Sequence, residues 1–271
     1  LRWLDLTEDG RIDPTTVRVI TERTRLLALT HASNVTGAIT PLVDILPAAR
    51  AVGALVVLDT CQSAAHLPLD FAALHAAGVD AMVLSSHKML GPTGIGALVA
   101  AEELLEAMPP VLTGGSMIEV VRMESSTYMS GPARFEAGSQ PLAQAAGWRT
   151  AVDYLSGLGM DRLHAGELDL MQRVLDGLAA LDGVRVLGPA DTRERLGVVA
   201  FTVDSVHPHD VGQVLDASGV AVRTGHHCAQ PIHAHFSVSS SARVSFGVTT
   251  TAGEVDRFLE AAAGVRAYFQ R

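Results

Sequence analysis

Three apolar runs, Leu26 to Thr30, Ala54 to Leu58 and Ala81 to Leu84, follow one another early in the chain, with a helical segment between each pair. Each ends in polar residues, so they read as buried parallel strands. This pattern constrains the fold more than any other feature, because parallel neighbours cannot be joined by a tight turn and need a crossover. The first crossover, Pro41 to Val52, sets Leu42, Ile45, Leu46 and Ala49 on one helical face behind an N-terminal proline. A shorter one, Phe71 to Ala77, stops at Gly78. Open parallel sheets bind ligands at the carboxyl ends of their strands. That rule selects His31 to Asn34, Asp59 to Gln62 and Ser85 to Lys88.

Beyond Gly94-Ile95-Gly96 the pattern predicts a strand at Ala97 to Ala100, a short helix, and a loop-rich, site-lining stretch from Met108 to Pro141. Two helices follow, Gln144 to Leu155 and Asp161 to Leu181, with a domain boundary near Gly157. Strands are expected at Val184 to Leu187, Gly197 to Val203, Val220 to Arg223 and Ala242 to Phe246, and helices at Asp210 to Ala217 and Thr251 to Tyr268. The expected class is α/β, with a large domain over residues 1–157 and a smaller α+β domain over 158–271.

Nineteen of the twenty basic residues are Arg, and the only lysine is Lys88. Arg serves wherever a plain positive charge suffices. A retained lysine points to chemistry in which an amine must lose its proton, which guanidinium cannot do at neutral pH. The net charge of −9, without runs of like charge, argues against a nucleic-acid binder. No stretch approaches the ~20 apolar residues of a membrane span, and the first residues show no signal pattern; a cytoplasmic location is expected. Cys61 and Cys228 are too few for a disulfide framework, so both are expected as thiols.

Ser85-Ser86-His87-Lys88 followed by Gly91-Pro92-Thr93-Gly94-Ile95-Gly96 would also suit an ordinary strand-loop-strand turn. Asp59 favours a functional reading: a carboxylate closing an apolar strand needs a cationic partner, and a pyridinium nitrogen is one. Lys88 as Schiff-base anchor and Asp59 as the group that keeps a ring nitrogen protonated together make a pyridoxal-phosphate site. Asn34 and Gln62 could reach the ring hydroxyl, and Ser85 and His87 the phosphate. A second cluster, Arg223-Thr224-Gly225-His226-His227-Cys228 with His233 and His235 behind it, lacks the paired spacing of a zinc site. No metal is expected there; a polar loop with a structural thiol stays open beside a reactive Cys228.

In this order, Thr30 to Gly37 (Thr-His-Ala-Ser-Asn-Val-Thr-Gly), Asp59 to Gln62, Ser85 to Gly96, Arg134 to Ser139 and Arg223 to Ala229 resemble the class V aminotransferase family. Within it the likeness is to the SUF-type, group II cysteine desulfurases, and it runs across essentially the whole chain. The resemblance implies an aspartate-aminotransferase-like fold (fold type I) and pyridoxal 5'-phosphate on Lys88. Asp59 would face the pyridine nitrogen, Gln62 the ring hydroxyl, and Ser85 and His87 the phosphate. Asn34 and Arg243 would receive the substrate carboxylate, and Ser139, where the family usually has threonine, would reach a phosphate across a homodimer interface. Cys228 would take sulfur from L-cysteine as a persulfide, leaving L-alanine, and pass it to an acceptor protein for iron–sulfur cluster or sulfur-compound assembly. Family members carry further chain before the equivalent of Leu1, with a phosphate-binding turn and a ring-stacking histidine. Thr249-Thr250-Thr251 also stands where the family often reads Tyr-Asn-Thr. A selenocysteine lyase, another C–S lyase of the family, and a non-catalytic fragment or partner subunit remain open alternatives.

Overall fold

The structure, a computed structural model, describes residues 1–269. Strands β1 (Leu26–Thr30), β2 (Leu55–Asp59), β3 (Ala81–Ser85) and β4 (Gly96–Ala100) form one sheet in that order. The pairs β1–β2 and β2–β3 are parallel, while β4 runs antiparallel to β3. The reason is the connection: helices α1 (Leu42–Ala51) and α2 (Phe71–Ala77) cross over between the parallel strands, and only a turn separates β3 from β4. Asp70 starts α2 by accepting the amides of Ala72 and Ala73, and Gly78, at φ 115°, stops it in the left-handed region.

The expected burial of these strands on both faces is corrected to burial on one. Leu29, Val56, Leu58 and Met82 pack on Ile45, Leu46 and Ala49 of α1, whereas Leu26, Ala28, Leu55 and Asp59 alternate onto an exposed side. Both crossover helices contribute to that single core, which leaves the strands with the two-residue period of a one-sided sheet.

Helix α3 (Glu102–Ala107) and a small hairpin of β5 (Ile118–Val121) and β6 (Ser126–Tyr128) lead to α4 (Leu142–Leu158) and α5 (Met160–Ala179), which meet at Gly159. A second sheet then collects β7 (Val184–Leu187), β8 (Val198–Val203), β9 (Arg223–Gly225) and β10 (Ser241–Ser245) in the order β7-β8-β10-β9, all antiparallel. Helices α6 (Pro208–Ala217), α7 (Gln230–His235) and α8 (Ala252–Phe269) complete this part. Its core is built on helical spacing: Met171, Val174, Leu175 and Leu178 of α5 and Val255, Phe258, Ala262 and Val265 of α8 close over Val199, Phe201 and Val203. At Gly177 a Cβ would lie 2.5 Å from the tip of Leu259, so glycine lets α8 approach α5 with that side chain where it is.

The early chain is bound to this second sheet. Val35 packs with Leu187, Ala200 and Phe236, and Arg11 reaches Asp191 at 3.2 Å and the Arg193 carbonyl at 2.8 Å. His66 and the buried Glu167 of α5 form a further tie at 2.8 Å. No helix among the described residues is long and apolar enough to cross a membrane.

Candidate active site

The ends of β2 and β3 make one half of the site. Asp59 sits in register between Thr30 and Val83. It is exposed, and its carboxylate accepts the Cys61 amide at 2.9 Å, which corrects the expectation of a carboxylate buried in need of a cation. The turn behind it is anchored by Thr60, whose hydroxyl donates to the Val83 carbonyl at 2.7 Å. His31 and Ser63 pair at 2.8 Å below, joining the turn after β1 to the turn after β2. Gln62 stands half-buried in that turn. Cys61 is half-buried, and burial together with Asp59 pushes its thiol up to about 11, although Lys88 pulls the other way. Asp59 and Lys88 therefore both bear on the space around Cys61.

After β3, Ser85 Oγ and His87 Nδ1 lie 2.9 Å apart at the head of a single 3₁₀ turn, Ser86–Lys88. Lys88 is exposed and, among the described residues, takes part in no ion pair or side-chain hydrogen bond. The turn beyond it closes through Leu90 at φ 61° and through Gly91, where a Cβ would lie 2.2 Å from the Ser86 hydroxyl. Only glycine permits that return of the chain.

The other half surrounds Cys228. His227 and Cys228 are consecutive non-glycine residues in the left-handed region, at φ 54° and 61°. Such residues cost on the order of 1–3 kcal/mol each and persist where the surroundings over-determine them. Here the Asn34 side-chain amide donates to the His227 carbonyl, and the buried His227 ring lies 3.0 Å from Ser241 Oγ through Nε2. His233 approaches the same hydroxyl at 2.9 Å. Arg243 Nη1 donates to the Asn34 carbonyl at 2.8 Å, and Arg223 Nη2 to Cys228 Sγ at 3.4 Å. Burial, then Arg223, lowers the Arg243 guanidinium. Burial, then Arg243, His233 and Arg223, drives the His227 imidazole down to about 4. Cys228 is exposed on a cavity of about 550 Å³ lined by Arg223, Thr224, His226 and Ala229.

Asn34 lies in the turn after β1, which His31 ties to the turn after β2, and it holds both the Cys228 loop and Arg243. Ser139 stands apart, exposed in the bend after the 3₁₀ segment Gly131–Phe135, with no side-chain hydrogen bond among the described residues. Sequence reasoning missed Arg223 as the cation at Cys228, although the two share one motif. It also missed Ser241, whose part depends on strand register, and the His66–Glu167 tie, for which spacing carries no sign. A larger cavity, about 640 Å³, runs along the free edge of β1 between Trp3, Leu27, Ile39 and Ile232; apolar side chains dominate it and it contains none of the reactive groups.

A family model described as Aminotransferase class-V matches residues 1–258. The chain is 49% identical over 271 residues to Probable cysteine desulfurase 2 of Mycobacterium leprae (strain TN), covering 100% of this chain and 64% of that protein. It is 45% identical over 270 residues to a protein of Streptomyces coelicolor named Probable cysteine desulfurase, covering 99% and 64%. Among solved structures, the apo cysteine desulfurase of Thermococcus onnurineus NA1 shares the fold with a TM-score of 0.93 at 33% identity, over 98% of this chain and 66% of that one. The chain therefore spans about two thirds of the length of the relatives it matches.

Proposed function

The chain belongs to the class-V aminotransferase family, with its fold type I α/β architecture, and we propose that it takes part in pyridoxal-phosphate-dependent desulfuration of L-cysteine, with Cys228 as sulfur acceptor. The observation that carries this reading is that one chain presents an unengaged lysine amine just beyond a strand end and an exposed thiol on an arginine-lined loop, a loop that Asn34 of the turn after β1 holds in place.

The residues present fit the cofactor. An amine and a carboxylate stand at neighbouring strand ends, neither in an ion pair among the described residues, with the hydrogen-bonding groups of Gln62, Ser85 and His87 on the same two turns. Pyridoxal 5'-phosphate supplies an aldehyde that an amine can hold and a protonated ring that stabilises negative charge next to the captured nitrogen. Lys88 would hold it, Asp59 would keep the ring nitrogen protonated, and Gln62 would face the ring hydroxyl. Ser85 and His87 would receive the phosphate. The Lys88 amine would also serve as the base for the substrate α-proton. Arg243, backed by Asn34, offers a planar fork to the substrate carboxylate. The Cys228 thiolate, beside Arg223, attacks the substrate sulfur: an S–S bond forms, the substrate C–S bond breaks, and the carbon fragment leaves as alanine after protonation.

The same reading takes residues 1–157 as the cofactor-binding domain and 158–271 as a smaller domain carrying the thiol loop. It includes a homodimer in which Ser139 serves the neighbouring site, and a protein that accepts the persulfide sulfur. The test is Cys228→Ala in the full-length protein: pyridoxal phosphate and L-cysteine still bind, seen by visible absorption, while alanine release falls by about 10²-fold or more and no persulfide is detected. Full alanine release without Cys228 would overturn the mechanism.

A further inference from the structure

The Cys228 loop contains a hydrogen-bond chain whose direction is set by its far end. The Ala229 carbonyl can only accept, so His233 Nδ1, 3.0 Å away, carries the hydrogen. A neutral His233 then has a bare Nε2, and the Ser241 hydroxyl at 2.9 Å must donate to it. Ser241 has one hydrogen, now used. The remaining contact, 3.0 Å from Ser241 Oγ to His227 Nε2, is therefore a donation from the His227 ring. This leaves His227 Nδ1 as a bare acceptor, and it is indeed buried without a partner. An unmet acceptor is tolerated more readily in an interior than an unmet N–H. The reverse direction would need a second hydrogen on His233, a buried cation with no carboxylate in ion-pair contact among the described residues, close to a ring that already faces Arg243 and Arg223.

We infer that His233 and Ser241 are positioning residues for Cys228, acting through a one-way chain that fixes His227 as its Nε2–H tautomer and clamps the two left-handed residues before and at the thiol. His227 is 2% exposed and Ser241 and His233 are 0% and 1%, so the ring has no freedom to turn once the chain is made. With the ring held from one side and its carbonyl held by Asn34 from the other, residue 227 cannot leave φ 54° without losing both contacts. Cys228 follows it directly, and its sulfur is set against Arg223. Freed of the chain, the loop relaxes towards negative φ and carries the thiol off the guanidinium.

This inference rests on Cys228 being the sulfur acceptor, but its test does not. In ¹⁵N-histidine-labelled full-length protein at neutral pH, long-range ¹H–¹⁵N correlation is expected to show His227 protonated at Nε2 only and His233 at Nδ1 only. A Nδ1–H His227, or a doubly protonated His233, would overturn the chain. In a Cys61→Ala background, Ser241→Ala is expected to slow iodoacetamide alkylation of Cys228 at pH 7 by about tenfold, because the sulfur is carried off the guanidinium that attends it. The kcat for alanine release falls while KM for L-cysteine changes little, and Ser241→Thr, which keeps the hydroxyl, restores both the alkylation rate and kcat. Where Ser241→Ala does not fold, as judged by circular dichroism, His233→Gln and the tautomer spectra of the parent carry the same decision. A folded Ser241→Ala protein with an unchanged alkylation rate overturns the positioning role. Should tautomers and alkylation follow expectation while Cys228→Ala still releases alanine fully, the chain stands and the desulfurase reading falls.

Discussion

The two halves of the site are built in opposite ways. At the strand ends, Lys88 and Asp59 close regular β-structure and keep their charged groups free of ion pairs. Around Cys228 the backbone is irregular and strained, and Asn34, His227, His233, Ser241 and Arg243 spend most of their polar groups on one another, with only His227 Nδ1 and Arg243 Nε of this group buried without a partner among the described residues. The contrast separates binding from positioning. Groups left open on a rigid sheet edge are available to a ligand, whereas groups satisfied inside the protein hold a geometry and are costly to disturb. Mutations in the first half should therefore remove activity at little cost in stability, and mutations in the second should touch both.

The largest effect is expected at Lys88. Lys88→Arg keeps the charge but not the titratable amine, so turnover should fall by about 10²–10⁴-fold and borohydride should no longer fix pyridoxal phosphate to the protein. The melting temperature should stay where it was, because Lys88 has no ion-pair or side-chain hydrogen-bond partner to lose among the described residues. A marked loss of stability would break the comparison. Asp59→Ala should behave alike, with activity lowered by about 10²–10³-fold and the fold intact.

Acidification sharpens the contrast. Burial depresses His227 from 6.5 to about 4 and also depresses His31 and His164. An unfolded chain then binds more protons than the folded one in that interval. The stability these neutral rings contribute is fully present above about pH 6.5 and is lost as pH falls towards 4. Urea unfolding at pH 7 and pH 5 should show the decline, and His227→Gln should flatten it; an equal slope in the variant would remove His227 from the account. The smallest effect belongs to Cys61→Ala. The half-buried Cys61 thiol is held protonated and lies 3.8 Å from the Val83 carbonyl, so alanine release should change less than about twofold and stability by less than about 1 kcal/mol.

Much of the scaffold was legible because its periodicities are local. Phe71–Ala77 and Val184–Leu187 carry the boundaries expected from pattern alone, and α1, α5 and α8 announce their buried faces by spacing. The failures share a cause. The expected strand Val220 to Arg223 lies instead at Arg223–Gly225, where β10 offers partners, while Val220 and Val222 pack into the core. The β5–β6 hairpin and α7, in stretches read as loop, are too short for a period to declare itself.

What the amino-acid sequence determined alone was the chemistry on offer: a single amine able to lose its proton, a carboxylate at a neighbouring strand end, and a cysteine inside an arginine- and histidine-rich loop. These follow from residue type and from position relative to local structure. Only the tertiary structure decided which of them would stay open and which would be held. Asn34 meets His227 across 193 residues and Arg243 across 209, and the polarity of the Ser241 chain depends on which carbonyl happens to lie beside His233. Hydrogen bonds of that kind are fixed by the register of strands and the packing of two cores, neither of which is written in any short stretch of chain.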